Sequence, residues 1–222
     1  MFRKSIVLVV FATTFNFAAQ AAQSGLDEAV AEVGHRWAKV SYHTPDSDKE
    51  AAFRSLVGEA EQVSQSFPDR AEPLVWRAIV LASAAKAEGG LGALSKAKEA
   101  RDLLLAAEKL NPNAMTGSIY STLGSLYAKV PGWPIGFGDK KKAKDYFEKA
   151  LAINPNGIDV NYFYGDYLAG LGEYAKAAEH LQKALAAPAR AGREDADNGR
   201  RQDVRSLLEE IKQKHGDQLA LK

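Results

Sequence analysis

Cysteine is missing from all 222 residues. That excludes disulfides, thiol nucleophiles, thiolate metal sites and a lipid-modified N-terminal cysteine. An excess of one charge is missing too: 29 basic and 28 acidic residues leave a formal charge of +1. No general attraction to nucleic acid or anionic surfaces follows from such a balance. Valine and threonine thin out after residue 40 while alanine is abundant, which favours helix over strand.

Long apolar runs are missing with one exception. "MFRK" is a short basic start, residues 5–18 are an apolar core, and Ala19 and Ala21 put small residues where a signal peptidase reads. As a helix the core would span about 21 Å, short of the roughly 30 Å of bilayer hydrocarbon. The expectation is a signal peptide over 1–21 with cleavage after Ala21, and no permanent membrane anchor. Removal takes away Arg3 and Lys4 and no acid, leaving a mature charge of −1. A periplasmic or secreted location follows as an expectation.

What is present is helix after helix. "KAKEARDLLLAAEKLNPN" (96–113) and "DKKKAKDYFEKALAINPN" (139–156) align, with Ala100, Leu104, Ala107 and Pro112 matching Ala143, Phe147, Ala150 and Pro155. A third copy, 174–188, carries Ala177, Leu181 and Ala184. Small, large and small residues at i, i+4 and i+7 share one helical face. The small ones admit a neighbouring helix and the large one fills its groove. Each such helix is preceded by another: "YSTLGSLY" (120–127) and "NYFYGDYL" (161–168) place Gly124 and Gly165 where a close crossing is expected.

On these residues the chain resembles the tetratricopeptide repeat family. Its pattern is a bulky residue, Leu-Gly, an aromatic, then Ala, Phe, Ala and Pro over 34 residues. Residues 158–188 fit that length without a gap, while the copies ending at Pro155 and Pro112 need insertions at 131–137 and 86–96. The copy around Trp76 and Ile79 is degenerate, and a weaker one runs from Leu26 to Pro68. The resemblance implies an all-α superhelical stack of antiparallel helix pairs. It divides the chain into an N-terminal pair over 22–70, three repeats over 71–190, and a linker and capping helix over 191–222. A helix with a polar outer face at 198–216 suits the end of such a stack.

The insertion "PGWPIGFGDKKK" (131–142) invites a phosphate-loop reading, which the residues reject. From Gly132 the sixth position is Phe137, no hydroxyl follows Lys140, and no strand precedes it. Asp139 is expected to cap the following helix, which puts three lysines in its first turns, where the helix dipole does not favour them. A solvated or partner-facing role explains them. The run Val130, Pro131, Gly138, Asp139, Lys142, Ala143, Phe147, Glu148, Ala150 and Leu151 resembles the tetratricopeptide T components of tripartite ATP-independent periplasmic transporters, with Phe137-Gly138 in place of a frequent Gly-Gly.

Catalytic constellations are scarce. His35 and His43 lie eight apart near Asp46 and Asp48 and are expected in a solvated loop; no serine has a nucleophile-elbow context; Glu209 and Glu210 are adjacent on the last helix. The reading is therefore non-catalytic, with no cofactor and no metal. The resemblance implies that the first helix of each pair lines a concave face. On that face Arg77, Ser121, Ser125, Lys129, Tyr162, Phe163 and Asp166 are candidate partner-binding residues, with Trp133 and Phe137 of the insertion at its edge. Asp159 and Asp166 would repel a carboxylate. The implied partner is a protein or peptide, a transporter component among the options. The alternative is a small-molecule accessory role in solute uptake.

Overall fold

A computed structural model describes residues 7–219. Nine α-helices are present among them: α1 (Val7–His43), α2 (Asp46–Ser66), α3 (Ala71–Glu88), α4 (Gly90–Leu110), α5 (Ser118–Lys129), α6 (Lys140–Ile153), α7 (Ile158–Gly170), α8 (Tyr174–Ala186) and α9 (Glu194–Leu219). The expected basic start of the leader, residues 1–4, and the first two residues of its apolar core lie outside the described residues. The backbone of α1 runs unbroken through the expected cleavage point after Ala21. Among the described residues no helix is long and apolar enough to cross a membrane.

The helix ends follow from local chemistry. Asn111 and Asn154 close α4 and α6 in non-helical conformations, each followed by a proline that cannot continue the helix. Asp139 caps α6: its Oδ1 accepts from the amides of Lys141 and Lys142 at 2.9 and 3.0 Å. Gly89 joins α3 directly to α4 at φ 67°, a backbone that a side chain would strain. The extra residues of 86–96 are therefore almost entirely helical: they lengthen α3 and α4 instead of looping out.

The helices pair antiparallel, α3 with α4, α5 with α6 and α7 with α8, and successive pairs stack. Both glycines picked out by the repeat sit at the seams. A Cβ built on Gly124 would lie 2.8 Å from Phe147 Cδ1; one on Gly165 would lie 2.9 Å from Leu181 Cγ and 3.2 Å from the Ala177 carbonyl oxygen. Ala100, Ala107, Ala143, Ala150, Ala177 and Ala184 are fully buried beside Leu104, Phe147 and Leu181. One apolar core runs through α3 to α9; a second joins α1, α2 and α3 around Trp37, Phe53, Leu56 and Trp76. Stacked pairs bury continuously what one pair alone would expose.

Helix α9 does more than cover the end of the stack. Val204 and Ile211 belong to the main core, on the side of α8, while Ala196 joins the N-terminal one. Its first half thus packs on α7 and on α1, the helix at the far end of the stack. Gly199 permits this approach, since a Cβ there would fall 2.3 Å from the Tyr42 ring.

Candidate functional site

The inner row of helices, α3, α5 and α7, carries most of the expected binding residues, and most of them are already engaged. On α3, Arg77 is 17% exposed and its Nη2 donates to Glu61 (2.8 Å) and Glu99 (2.7 Å). Two carboxylates neutralise it, so it is not free to clamp a third. On α5, Ser121 is buried and its hydroxyl donates to the Ser118 carbonyl at 3.3 Å. Ser125, one turn on, is half-buried. Lys129 at the end of α5 pairs with Asp166 of α7 at 2.7 Å, and the lysine remains 60% exposed. That pair joins two candidates that the sequence treats separately.

Tyr162 and Phe163 on α7 form a tilted ring pair with centroids 5.3 Å apart. They do not face an open groove. The Arg200 guanidinium of α9 lies over both, 4.5 and 4.7 Å from the ring centroids. Arg200 is itself buried, donating through Nε to Asp159 (2.8 Å) and through Nη1 to Asp203 (2.9 Å). Arg190 donates to the other Asp159 oxygen at 2.8 Å and to Asp197. Tyr42 of α1 donates to Asp203 at 3.2 Å, Arg193 lies over Trp76 at 4.9 Å, and His35 meets the Gly192 carbonyl at 2.7 Å. The segment 190–203 thus ties α7 to α1 and α3, with ion pairs to α7, hydrogen bonds to α1 and a cation over a ring on α3.

The electrostatics follow that geometry. Burial pushes the Asp159 carboxyl up, but the Arg200 and Arg190 guanidiniums overcome it and hold the group below the usual carboxylate range. Burial raises Tyr162 to about 12, against the opposing pull of Arg200. It also raises the Tyr42 phenol well above its ordinary value. Perturbed groups of this kind can mark catalysis, yet structural ion-pair networks produce them equally. Here Arg190 and Arg200 are answered by carboxylates and Arg193 by the Trp76 ring, its buried Nε without a hydrogen-bond partner. Surface hollows of about 540 and 420 Å³ include none of the network.

His35 and His43 are not in a loop as expected: both lie on α1, because the helix continues to residue 43. His43 is 3.6 Å from Asp195. No group of three or more metal-type side chains occurs among the described residues.

The insertion divides its two aromatic candidates. Phe137 packs inward, edge-on to Tyr127 at 5.3 Å, with the Arg101 guanidinium 4.5 Å from its centroid. Trp133 points out and is 89% exposed, with Ile135 at 65%. The loop is closed by backbone bonds: Gly138 N to Pro131 O (2.9 Å), Gly136 N to Gly132 O (3.1 Å) and Asp139 N to Tyr127 O (2.9 Å). The Trp133–Pro134 peptide is cis.

Sequence reasoning missed Arg190, Arg193, Arg200 and Tyr42. Arg190 and Arg193 read as part of a linker, and Arg200 as part of a charged capping helix. The available signals were Ala196 and Gly199, two small residues within a charged run.

Residues 135–156 and 158–189 match the tetratricopeptide repeat model. The chain contains tetratricopeptide repeats. The second match covers α7 and α8 whole, and the first runs from the insertion through α6. A thermophilic tetratricopeptide repeat protein of Thermus thermophilus aligns over 72% of this chain and 90% of its own, at 16% identity and a TM-score of 0.41. Pseudomonas aeruginosa pilF aligns over 86% of this chain and 94% of its own, at 17% identity and a TM-score of 0.33. No curated protein matches. In tetratricopeptide terms, the first helices of the repeats form the inner row just described, and 190–203 covers only the first half of α7, at Asp159, Tyr162 and Phe163.

Proposed function

We propose that this tetratricopeptide protein is a non-catalytic scaffold that binds a protein or peptide segment along the uncovered part of its inner row, at Ser125, Lys129 and Asp166. The observation behind this reading is the Lys129–Asp166 pair, its lysine exposed and its aspartate half-buried, which bridges two consecutive repeats. A surface ion pair contributes at most about 1 kcal/mol, so a partner can exchange either member cheaply. Stacked repeats supply the rigid frame on which such a contact is made.

A photo-crosslinking residue at Ser125, in living cells, tests the proposal against the same residue at the exposed Lys183 on α8. A discrete protein adduct from position 125 alone is expected. Identical adducts from both positions, or none from 125, would overturn it. Export to the periplasm is part of the proposal and rests on residues 1–21; N-terminal sequencing of the exported protein should begin at Ala22. A transporter component as partner rests on the resemblance over 130–151.

A further inference from the structure

Trp133 and Ile135 form the tip of a loop with no charged residue between Val130 and Gly138. Their exposure contrasts with the other two tryptophans, Trp37 and Trp76, both buried. The tip is convex and held from behind by Phe137, Leu94 and the backbone bonds, so it is built to keep these side chains outward. Directly after it, Lys140, Lys141 and Lys142 open α6 and are all exposed. Lysines at the first positions of a helix oppose its dipole, so helix stability does not explain three of them. Of the acids nearby, Asp139 is taken up by the cap and Asp102 is paired with Arg101; Asp145 lies a turn further on.

We propose that this loop and its lysines are a peripheral docking surface for an anionic lipid bilayer. Tryptophan favours the headgroup level of a membrane, isoleucine the hydrocarbon just beneath, and neighbouring lysines reach anionic headgroups. A projecting apolar tip enters a fluid phase without needing a matching pocket, which a protein partner would have to supply. The surface shares no residue with the proposed contact at Ser125, Lys129 and Asp166, so neither assignment depends on the other.

The test uses the protein purified from cells expressing the whole reading frame, with vesicles of phosphatidylcholine alone or with about 30 mol % phosphatidylglycerol. Any contribution of the N-terminal segment is common to all variants and cancels. Co-sedimentation with anionic vesicles is expected, together with a blue shift of Trp133 emission. Pure phosphatidylcholine should bind more weakly. Trp133→Ala with Ile135→Ala should weaken binding about tenfold or more. Replacing Lys140, Lys141 and Lys142 by Gln should weaken it about tenfold to a hundredfold at low salt. All these positions are exposed, so unchanged melting will show that the variants fold. Equal binding by wild type and both variants, or no vesicle binding, would overturn the proposal. So would a crosslinker at Trp133 that captures a protein in cells while vesicles fail to bind.

Discussion

Arg200 and Trp133 belong to two short stretches outside the repeat seams, and they end at opposite extremes: Arg200 is 6% exposed and Trp133 89%. The first stretch is rich in charge yet turns inward, because Arg190, Arg193 and Arg200 meet carboxylates or aromatic faces contributed by α7, α3 and the stretch itself. The second is rich in apolar side chains yet turns outward, because its backbone bonds to itself and Phe137 alone reaches the core. Hydropathy sorts the two the wrong way round. Partners decide burial here: a matched guanidinium can be covered, and an aromatic on a closed turn with nothing above it cannot.

The largest blow to this contrast is Arg200→Ala. Removing one partner of a buried pair typically costs 3–5 kcal/mol. Arg190 still serves Asp159, so a loss of about 3 kcal/mol in urea unfolding is expected. A loss below about 0.5 kcal/mol would class Arg200 with surface residues and dissolve the comparison.

Asp159→Asn comes next, at about 2 kcal/mol near neutral pH, since both guanidiniums then lack their shared carboxylate. Its pH signature is directional. Asp159 is held below its ordinary value, so its stabilisation is full above the unfolded value near 3.8 and fades as pH falls toward the folded one. The variant should therefore show a flatter acid limb in stability between about pH 5 and 2. An acid limb unchanged from wild type would remove Asp159 from the account.

Within the loop, Phe137→Ala should cost about 2 kcal/mol, less than a fully buried phenylalanine because the ring is only half-buried. Gly199→Ala should cost about 1–2 kcal/mol by pushing α9 off Tyr42. Trp133→Ala closes the series: a change under about 0.5 kcal/mol is expected in the same assay. A clear drop in melting temperature for Trp133→Ala would place that side chain in the structural set with Phe137.

The repeat architecture was legible because its signal is periodic. Gly124, Ala143, Phe147, Gly165, Ala177 and Leu181 recur at spacings that only close helix packing explains, and all lie at seams. The turn at Asp139 was legible for a local reason, the cap. The inner face was harder to read. Tyr162 and Phe163 stand at positions that line an open groove in the family pattern, and nothing near them in sequence announces Arg200, in a different helix near the end of the chain. Ion pairs over such separations leave no period. Tyr42 and Asp203 are 161 residues apart, and both read locally as ordinary surface residues. His35 and His43 were misplaced because α1 continues where the apolar pattern fades; contacts with Gly192 and Asp195 of the distant segment accompany that extension.

The reach of α9 back to α1 has a consequence for how the molecule comes apart. An open solenoid has only neighbour-to-neighbour contacts, so its ends fray and units can be trimmed without disturbing the rest. Here the two termini of the array clasp each other, converting a row into a circuit. Deleting the last helix would strip the first of part of its cover. Melting should then be a single concerted event and not a graded loss from either end.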